Sequence, residues 1–258
     1  MLICGVKSVI LGTHFMRMQT TDWFSSWFNT PYYHILYKDR NEEDARVFIQ
    51  HITQFLKLSK DRHILDLPCG KGRHSVYLNS LGYRVTGGDL SEQSIAYAKQ
   101  FENDRLQFRV KDMRVPFLLK YDAVFNLFTS FGYFESDNDD IQVLKNMKEC
   151  LNDRGVLVLD FLNVVHVRHR LVAEELKIVE GIEYQIRREI KGDFILKHIS
   201  FFDKGKAHAY TERVKYLDLE TFQRYTAAAG LSITHIFGDY KLSEFETHHS
   251  ERLILIAE

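Results

Sequence analysis

The chain has 258 residues, 45% hydrophobic and 27% charged, enough apolar material for one α/β core with an elaboration and too little for two full domains. Its 34 basic and 35 acidic side chains leave a formal net charge of −1, which argues against wrapping a nucleic acid or lying on an anionic membrane. Cys4, Cys69 and Cys150 are widely spread with no Cys-x-x-Cys pair, so neither a disulfide framework nor a zinc cluster is expected, and no apolar run approaches the roughly 20 residues of a membrane span. A cytoplasmic protein without a metal centre is the expectation.

Residues 1–17 look unlike the remainder of the chain, and Met16 and Met18 both offer alternative starts, so a leader outside the fold is expected there. Residues 18–60 should form a helical cap or lid. Within them Ala45, Phe48, Ile49, Ile52, Phe55 and Leu56 recur at helical spacing and give one buried stripe. A short apolar strand over 63–67 contains Asp66, and Pro68-Cys69-Gly70-Lys71-Gly72 then turns the chain into a helix from Arg73. Residues 84–88 form the next strand, ending at Asp89, and Ser91 caps a helix over 92–101. Strands over 106–111, 121–127 and 156–161 follow, with a helix over 137–151 that turns Ile141, Leu144 and Leu151 inward and ends at a turn supplied by Gly155.

Strands that are near-continuous apolar runs alternating with helices require a parallel sheet covered on both faces, which fixes the class as α/β and doubly wound. After a polar helical stretch the period changes to two over 183–190, 194–202 and 207–216, an antiparallel β insertion assigned to 176–216. It interrupts a main domain of 61–175 and 217–258, and either roofs the site or forms a dimer interface. Asp218 caps a helix carrying Leu219, Phe222 and Ala229, with Gly230 at its end, and 232–238 and 252–257 close the chain as an edge hairpin.

The chemistry concentrates where the first strands end. Glycines at a strand-to-helix turn let a ligand approach the backbone and leave helix N–H groups pointing at it. Asp89, at the end of the second strand, can accept hydrogen bonds from both hydroxyls of a ribose, and Asp112 with Met113, after the third, can read the amino group and a ring nitrogen of adenine. Tyr133 and His166 are the candidates for an acid/base group; His166 and His169 lack a third partner for a metal.

The segments His-Ile-Leu-Asp-Leu-Pro-Cys-Gly-Lys-Gly-Arg-His, Val-Thr-Gly-Gly-Asp-Leu-Ser and Tyr-Asp-Ala-Val-Phe-Asn-Leu-Phe resemble class I S-adenosylmethionine-dependent methyltransferases, a likeness that spans about residues 32–258. The resemblance implies a seven-stranded sheet whose last strand runs antiparallel, with S-adenosylmethionine as cofactor and S-adenosylhomocysteine as product. It implies cofactor contacts from Asp66, Pro68, Cys69, Gly70 and Gly72 at the turn, Asp89 and Leu90 at the ribose, Asp112 and Met113 at adenine, and Asn126 and Leu127 beside the methionine moiety. Pro68 stands where the family usually has glycine and removes one backbone donor.

The stretch from Pro31 to Arg40 is also similar to the lid of small-molecule N-methyltransferases such as glycine N-methyltransferase, which implies that Arg40 grips the cofactor carboxylate with Tyr33 or Tyr37 nearby. Asn126-Leu-Phe-Thr replaces the Asn/Asp-Pro-Pro-Tyr signature of relatives that methylate bases or protein glutamine, so a small-molecule methyl acceptor attacking through N or O is expected, on a monomer or homodimer. Two rival readings stay open. A nicotinamide-dependent oxidoreductase would share the ribose acid, although the turn lacks a third glycine and Asp66 would repel a pyrophosphate. A non-catalytic adenosylmethionine-binding protein would share the whole fold.

Overall fold

A computed structural model describes residues 23–38 and 42–258. The expected leader, residues 1–17, and Arg40 lie outside the described residues. In chain order the main elements are α1 (Trp23–Phe28), α2 (Pro31–Leu36), α3 (Glu42–Phe55), β1 (His63–Asp66), α4 (Arg73–Ser80), β2 (Arg84–Asp89), α5 (Glu92–Ala98), β3 (Leu106–Val110), β4 (Tyr121–Asn126), α6 (Asp137–Glu149) and β5 (Leu151–Leu162). They continue with α7 (Val164–Arg170), β6 (Glu174–Val179), β7 (Ile182–Lys191), β8 (Phe194–Asp203), β9 (Lys206–Lys215), α8 (Leu219–Ala228), β10 (Ile233–Phe237) and β11 (Arg252–Ala257).

Seven strands form one sheet in the order β10-β11-β5-β4-β1-β2-β3. β1 to β5 pair in parallel, while β11 runs antiparallel to both β5 and β10, as expected for the last strand. Alternate residues of each central strand serve opposite faces. Leu65, Val124, Leu157 and Leu255 pack with Val143, Leu144 and Met147 of α6 and Phe222 and Tyr225 of α8. Ile64, Ala123, Phe125, Val158 and Ile254 pack with Phe48, Ile49 and Ile52 of α3, Leu78 of α4 and Ile95 of α5. Two-sided burial is why these strands read as unbroken apolar runs. The α3 stripe fades at its end, where Phe55 is 40% exposed.

The second sheet, β6-β7-β8-β9, is antiparallel. One of its faces forms a separate core, in which Val179, Tyr184, Ile186, Ile199 and Phe201 enclose Trp27 of α1 and Leu36 of α2. The insertion thereby carries the N-terminal helices. It has a strand more than the alternation predicts. β6 escapes detection because its pattern is inverted: Leu176 and Ile178 are exposed, whereas Glu175 pairs with Arg188 and Lys177 donates to the Leu36 carbonyl. The insertion therefore begins at Glu174 rather than residue 176.

A second correction concerns Gly155. It lies inside β5, not in a helix-ending turn; α6 stops at Glu149 and its end is closed by the Cys150 N–H donating to Asn146 O. β5 bulges between its pairings of Leu151 with Tyr121 and of Val156 with Ala123, and a Cβ on Gly155 would sit 2.9 Å from Asn152 O. The glycine serves that close approach. Leu151 is buried as expected, but from the strand.

Candidate functional site

β1, β2 and β4 deliver their carboxyl ends to one edge of the sheet, the edge at which α/β folds bind ligands. β1 ends in Asp66, and the turn after it is stitched to β2 by the Cys69 N–H donating to Gly88 O at 2.8 Å. Gly70 has a φ of +55°, and nothing lies within 4 Å of where its Cβ would project. That gap lets a ligand lie against the backbone. Gly72 does something else. At φ +81° its Cβ would meet the Phe108 ring at 2.6 Å, so this glycine lets α4 pack onto β3, and it does not border the cavity.

Asp89 is the centre of the edge. Its Oδ2 accepts the Gly70 N–H at 2.8 Å and its Oδ1 the Ser91 N–H at 2.8 Å. An ionised carboxylate has about four acceptor positions, so each oxygen keeps one free while the two backbone bonds fix its orientation. Burial pushes the Asp89 carboxyl up and the two N–H groups pull it back. Asp66, deeper in, accepts from Ser75 Oγ at 2.6 Å; burial, with the nearby Asp89 charge adding to it, raises its carboxyl to about 7. Burial also holds the Cys69 thiol well above its ordinary range, so the residue is a wall rather than a nucleophile.

A cavity of about 490 Å³ opens over this edge. Asp66, Pro68, Cys69, Gly70, Asp89 and Ser91 form its floor, and Leu127, Phe128, Thr129 and Ser130, after β4, form one side. The lid supplies Trp23, Phe28, Tyr33, His34 and Tyr37, and β9 supplies Glu212 and Val214. Glu212 ties lid to insertion, accepting from Trp27 Nε1 at 2.8 Å and from the Tyr37 hydroxyl at 2.7 Å. His34 is half-buried, and burial together with the Lys71 charge pushes its imidazole down to about 4, so it is neutral at physiological pH. Tyr133 borders the cavity with its hydroxyl donated to Thr129 O at 2.6 Å.

The structure thus brings together Tyr33, Tyr37, Asp66, Pro68, Cys69, Gly70, Asp89, Leu127 and Tyr133. Asn126 is fully buried just behind the wall, its amide donating to Leu67 O and Ser130 O. Leu90 packs on the core, and Met113 does so with its carbonyl accepting from Asn146. The Asp112 carboxylate is gripped by the backbone and guanidinium of Arg114 and does not border the cavity; nor does His166, on α7. Reading the sequence missed His34, Phe128, Thr129 and Glu212. The post-β4 pair was open to inference from its place after a strand, but an acid within the alternating β9 carries no signal. Among the described residues no group of three or more His, Cys, Asp or Glu side chains is placed to hold a metal, and no helix is long and apolar enough to cross a membrane.

Residues 64–155 match the family model described as a methyltransferase domain. The chain is 36% identical over 107 residues to a putative methyltransferase, YqeM, of Bacillus subtilis (strain 168), covering 40% of this chain and 43% of that protein. It is 32% identical over 132 residues to the glycine/sarcosine N-methyltransferase of Halorhodospira halochloris, covering 48% and 47%. Each of these matches therefore spans less than half of the relative. The crystal structure of an S-adenosylmethionine-dependent methyltransferase from Clostridium acetobutylicum ATCC 824 superposes with a TM-score of 0.74 at 20% identity, covering 88% of this chain and 95% of that one. Residues 64–155 accordingly resemble a methyltransferase domain, and the chain shares the fold of the S-adenosylmethionine-dependent methyltransferase from Clostridium acetobutylicum.

Proposed function

We propose that the chain transfers a methyl group from S-adenosylmethionine to an N or O nucleophile of a small molecule. The observation that carries this reading is the Asp89 carboxylate, oriented by the Gly70 and Ser91 N–H groups and keeping an acceptor position on each oxygen beside a glycine with open space over it. A vicinal diol such as a ribose matches those two positions. Asp66 and the open face of Gly70 suit the amino-acid end of the cofactor, with Leu127 alongside; Arg40, Tyr33 and Tyr37 would close over its carboxylate. Adenine would lie toward Asp112 and Met113, where Asp112 must share its carboxylate with Arg114.

When bound, the cofactor supplies an electrophilic methyl group on a sulfonium. The chain's own part is to hold an acceptor in line with it and to exclude water. The lid rings and β9 line the cavity opposite the sheet edge, an arrangement that suits a small acceptor. An amine that arrives as its free base attacks through its lone pair and sheds its proton to water afterwards, whereas a hydroxyl acceptor has to give up its proton as it attacks. The Tyr133 proton is already committed to Thr129 O. We further infer a cytoplasmic protein, monomeric or homodimeric, in keeping with the free, buried thiols of Cys69 and Cys150.

Calorimetry with S-adenosylhomocysteine and with NAD, followed by an assay for S-adenosylhomocysteine release across small amines, phenols and carboxylic acids, tests the reading. Binding of S-adenosylhomocysteine and turnover of at least one acceptor are expected. Binding of NAD alone would reverse the assignment toward the oxidoreductase, and binding without any turnover would leave a ligand sensor.

A further inference from the structure

The wall of the cavity after β4 holds a conformation that its own residues disfavour. Phe128 and Thr129 both have φ of +60°, successive left-handed positions occupied by a bulky and a β-branched residue where glycine would sit without penalty. Such a turn persists only when its surroundings over-determine it.

Asp160, on β5 and fully buried, supplies most of that restraint. Its Oδ2 accepts the Phe128 N–H at 2.7 Å, and its backbone carbonyl accepts the Thr129 N–H at 3.0 Å. Arg252 of β11 completes the lock: its Nε donates to Asp160 Oδ1 at 2.8 Å, and its Nη2 reaches both the same oxygen and Thr129 Oγ1, at 2.7 and 2.9 Å. From the other side the Asn126 amide bridges Leu67 O and Ser130 O, and the Phe128 ring stacks on His74 at 4.4 Å. The turn is therefore clamped between the β1–α4 loop and the β5–β11 pair.

We infer that Asp160 and Arg252 are positioning residues which hold the Phe128–Thr129 turn left-handed and so fix the cavity wall beside the cofactor. The inference rests on the methyltransferase reading of the cavity. Neither carboxylate nor guanidinium borders the cavity; both act through the turn. If the restraint is lost, Thr129 relaxes toward right-handed backbone and the wall from Leu127 to Ser130 shifts, which matters because in-line transfer tolerates little displacement.

Glycine at 129 separates this role from a general contribution to stability, since glycine adopts the left-handed turn unaided. The test is a cycle of Asp160→Asn and Thr129→Gly in the full chain, read as S-adenosylhomocysteine affinity at a temperature where circular dichroism shows every variant folded. Asp160→Asn is expected to weaken binding about tenfold in the wild-type background and less than about threefold in the Thr129→Gly background. Equal losses in the two backgrounds, or wild-type affinity in Asp160→Asn alone, would overturn the inference. Should Asp160→Asn fail to fold, Arg252→Met in the same two backgrounds gives the same two outcomes. If the wild-type chain itself binds no S-adenosylhomocysteine, the methyltransferase reading falls instead, a result distinct from either.

Discussion

Asp89, the last residue of β2, and Asp112, two residues beyond β3, stand at the ends of neighbouring parallel strands, yet the fold uses them differently. The Asp89 carboxylate is oriented by backbone N–H groups and faces the cavity, whereas the Asp112 carboxylate is occupied by Arg114 two residues along the chain. β3 contributes instead through Phe108, whose ring fills the space over Gly72 and Gly87. The end of β2 borders the cavity, and β3 supports the turn that does the same. Of the two acids, only Asp89 keeps acceptor positions at the cavity.

The support side gives the largest expected effect. Gly72→Ala places a Cβ 2.6 Å from Phe108 in left-handed backbone, and should destabilise the chain by about 2–4 kcal/mol in denaturant unfolding. Gly70→Ala, with open space at its Cβ, should cost only about 1 kcal/mol from backbone strain and show its main effect on cofactor affinity. Equal losses of stability would erase the distinction between the two glycines.

Asp66 sharpens the comparison through pH. Its folded pKa, raised by burial to about 7, lies above the usual value of 3.8, so its stabilising contribution is complete below the unfolded value and is lost as pH rises through 7. The melting temperature should fall between pH 5 and 8 by an amount worth of order 1–3 kcal/mol, and Asp66→Asn should remove that fall. His34 and His63, both pushed down to about 4 mainly by burial, act oppositely, lowering stability as pH drops below 6.5. A melting temperature independent of Asp66 across this range would show the carboxyl to be ionised throughout.

On the ligand side, Asp89→Ala should weaken S-adenosylhomocysteine binding by at least about 1.5 kcal/mol in calorimetry with the fold retained. Asp112→Ala should cost under about 0.5 kcal/mol, because its carboxylate is already satisfied by Arg114. The reverse ranking would mean that the adenine end, not the ribose, anchors the nucleoside.

The alternation of strands and helices along the chain and the Asp66–Gly70–Asp89 edge were legible because two-sided burial writes apolar runs and strand-to-helix turns write glycines; the antiparallel last strand followed only from the resemblance to class I methyltransferases, and the order of strands in the sheet was not read at all. β6 was hidden because its charged residues face inward to partners on β7 and α2 while its leucine and isoleucine face solvent. The division of labour between Gly70 and Gly72 was equally invisible, since it depends on a phenylalanine from β3. Phe128 and Thr129 carry no left-handed signature at all; their conformation is imposed by Asp160 and Arg252, distant in sequence.

A ribose held by both oxygens of Asp89 is the claim on which the proposed function turns. Its most direct test is calorimetry of S-adenosylhomocysteine against its 2′,3′-dideoxy analogue, with the wild-type chain and Asp89→Ala. The wild-type chain should prefer the diol by about tenfold or more and the variant should not discriminate. A wild-type chain that binds both ligands equally would contradict it.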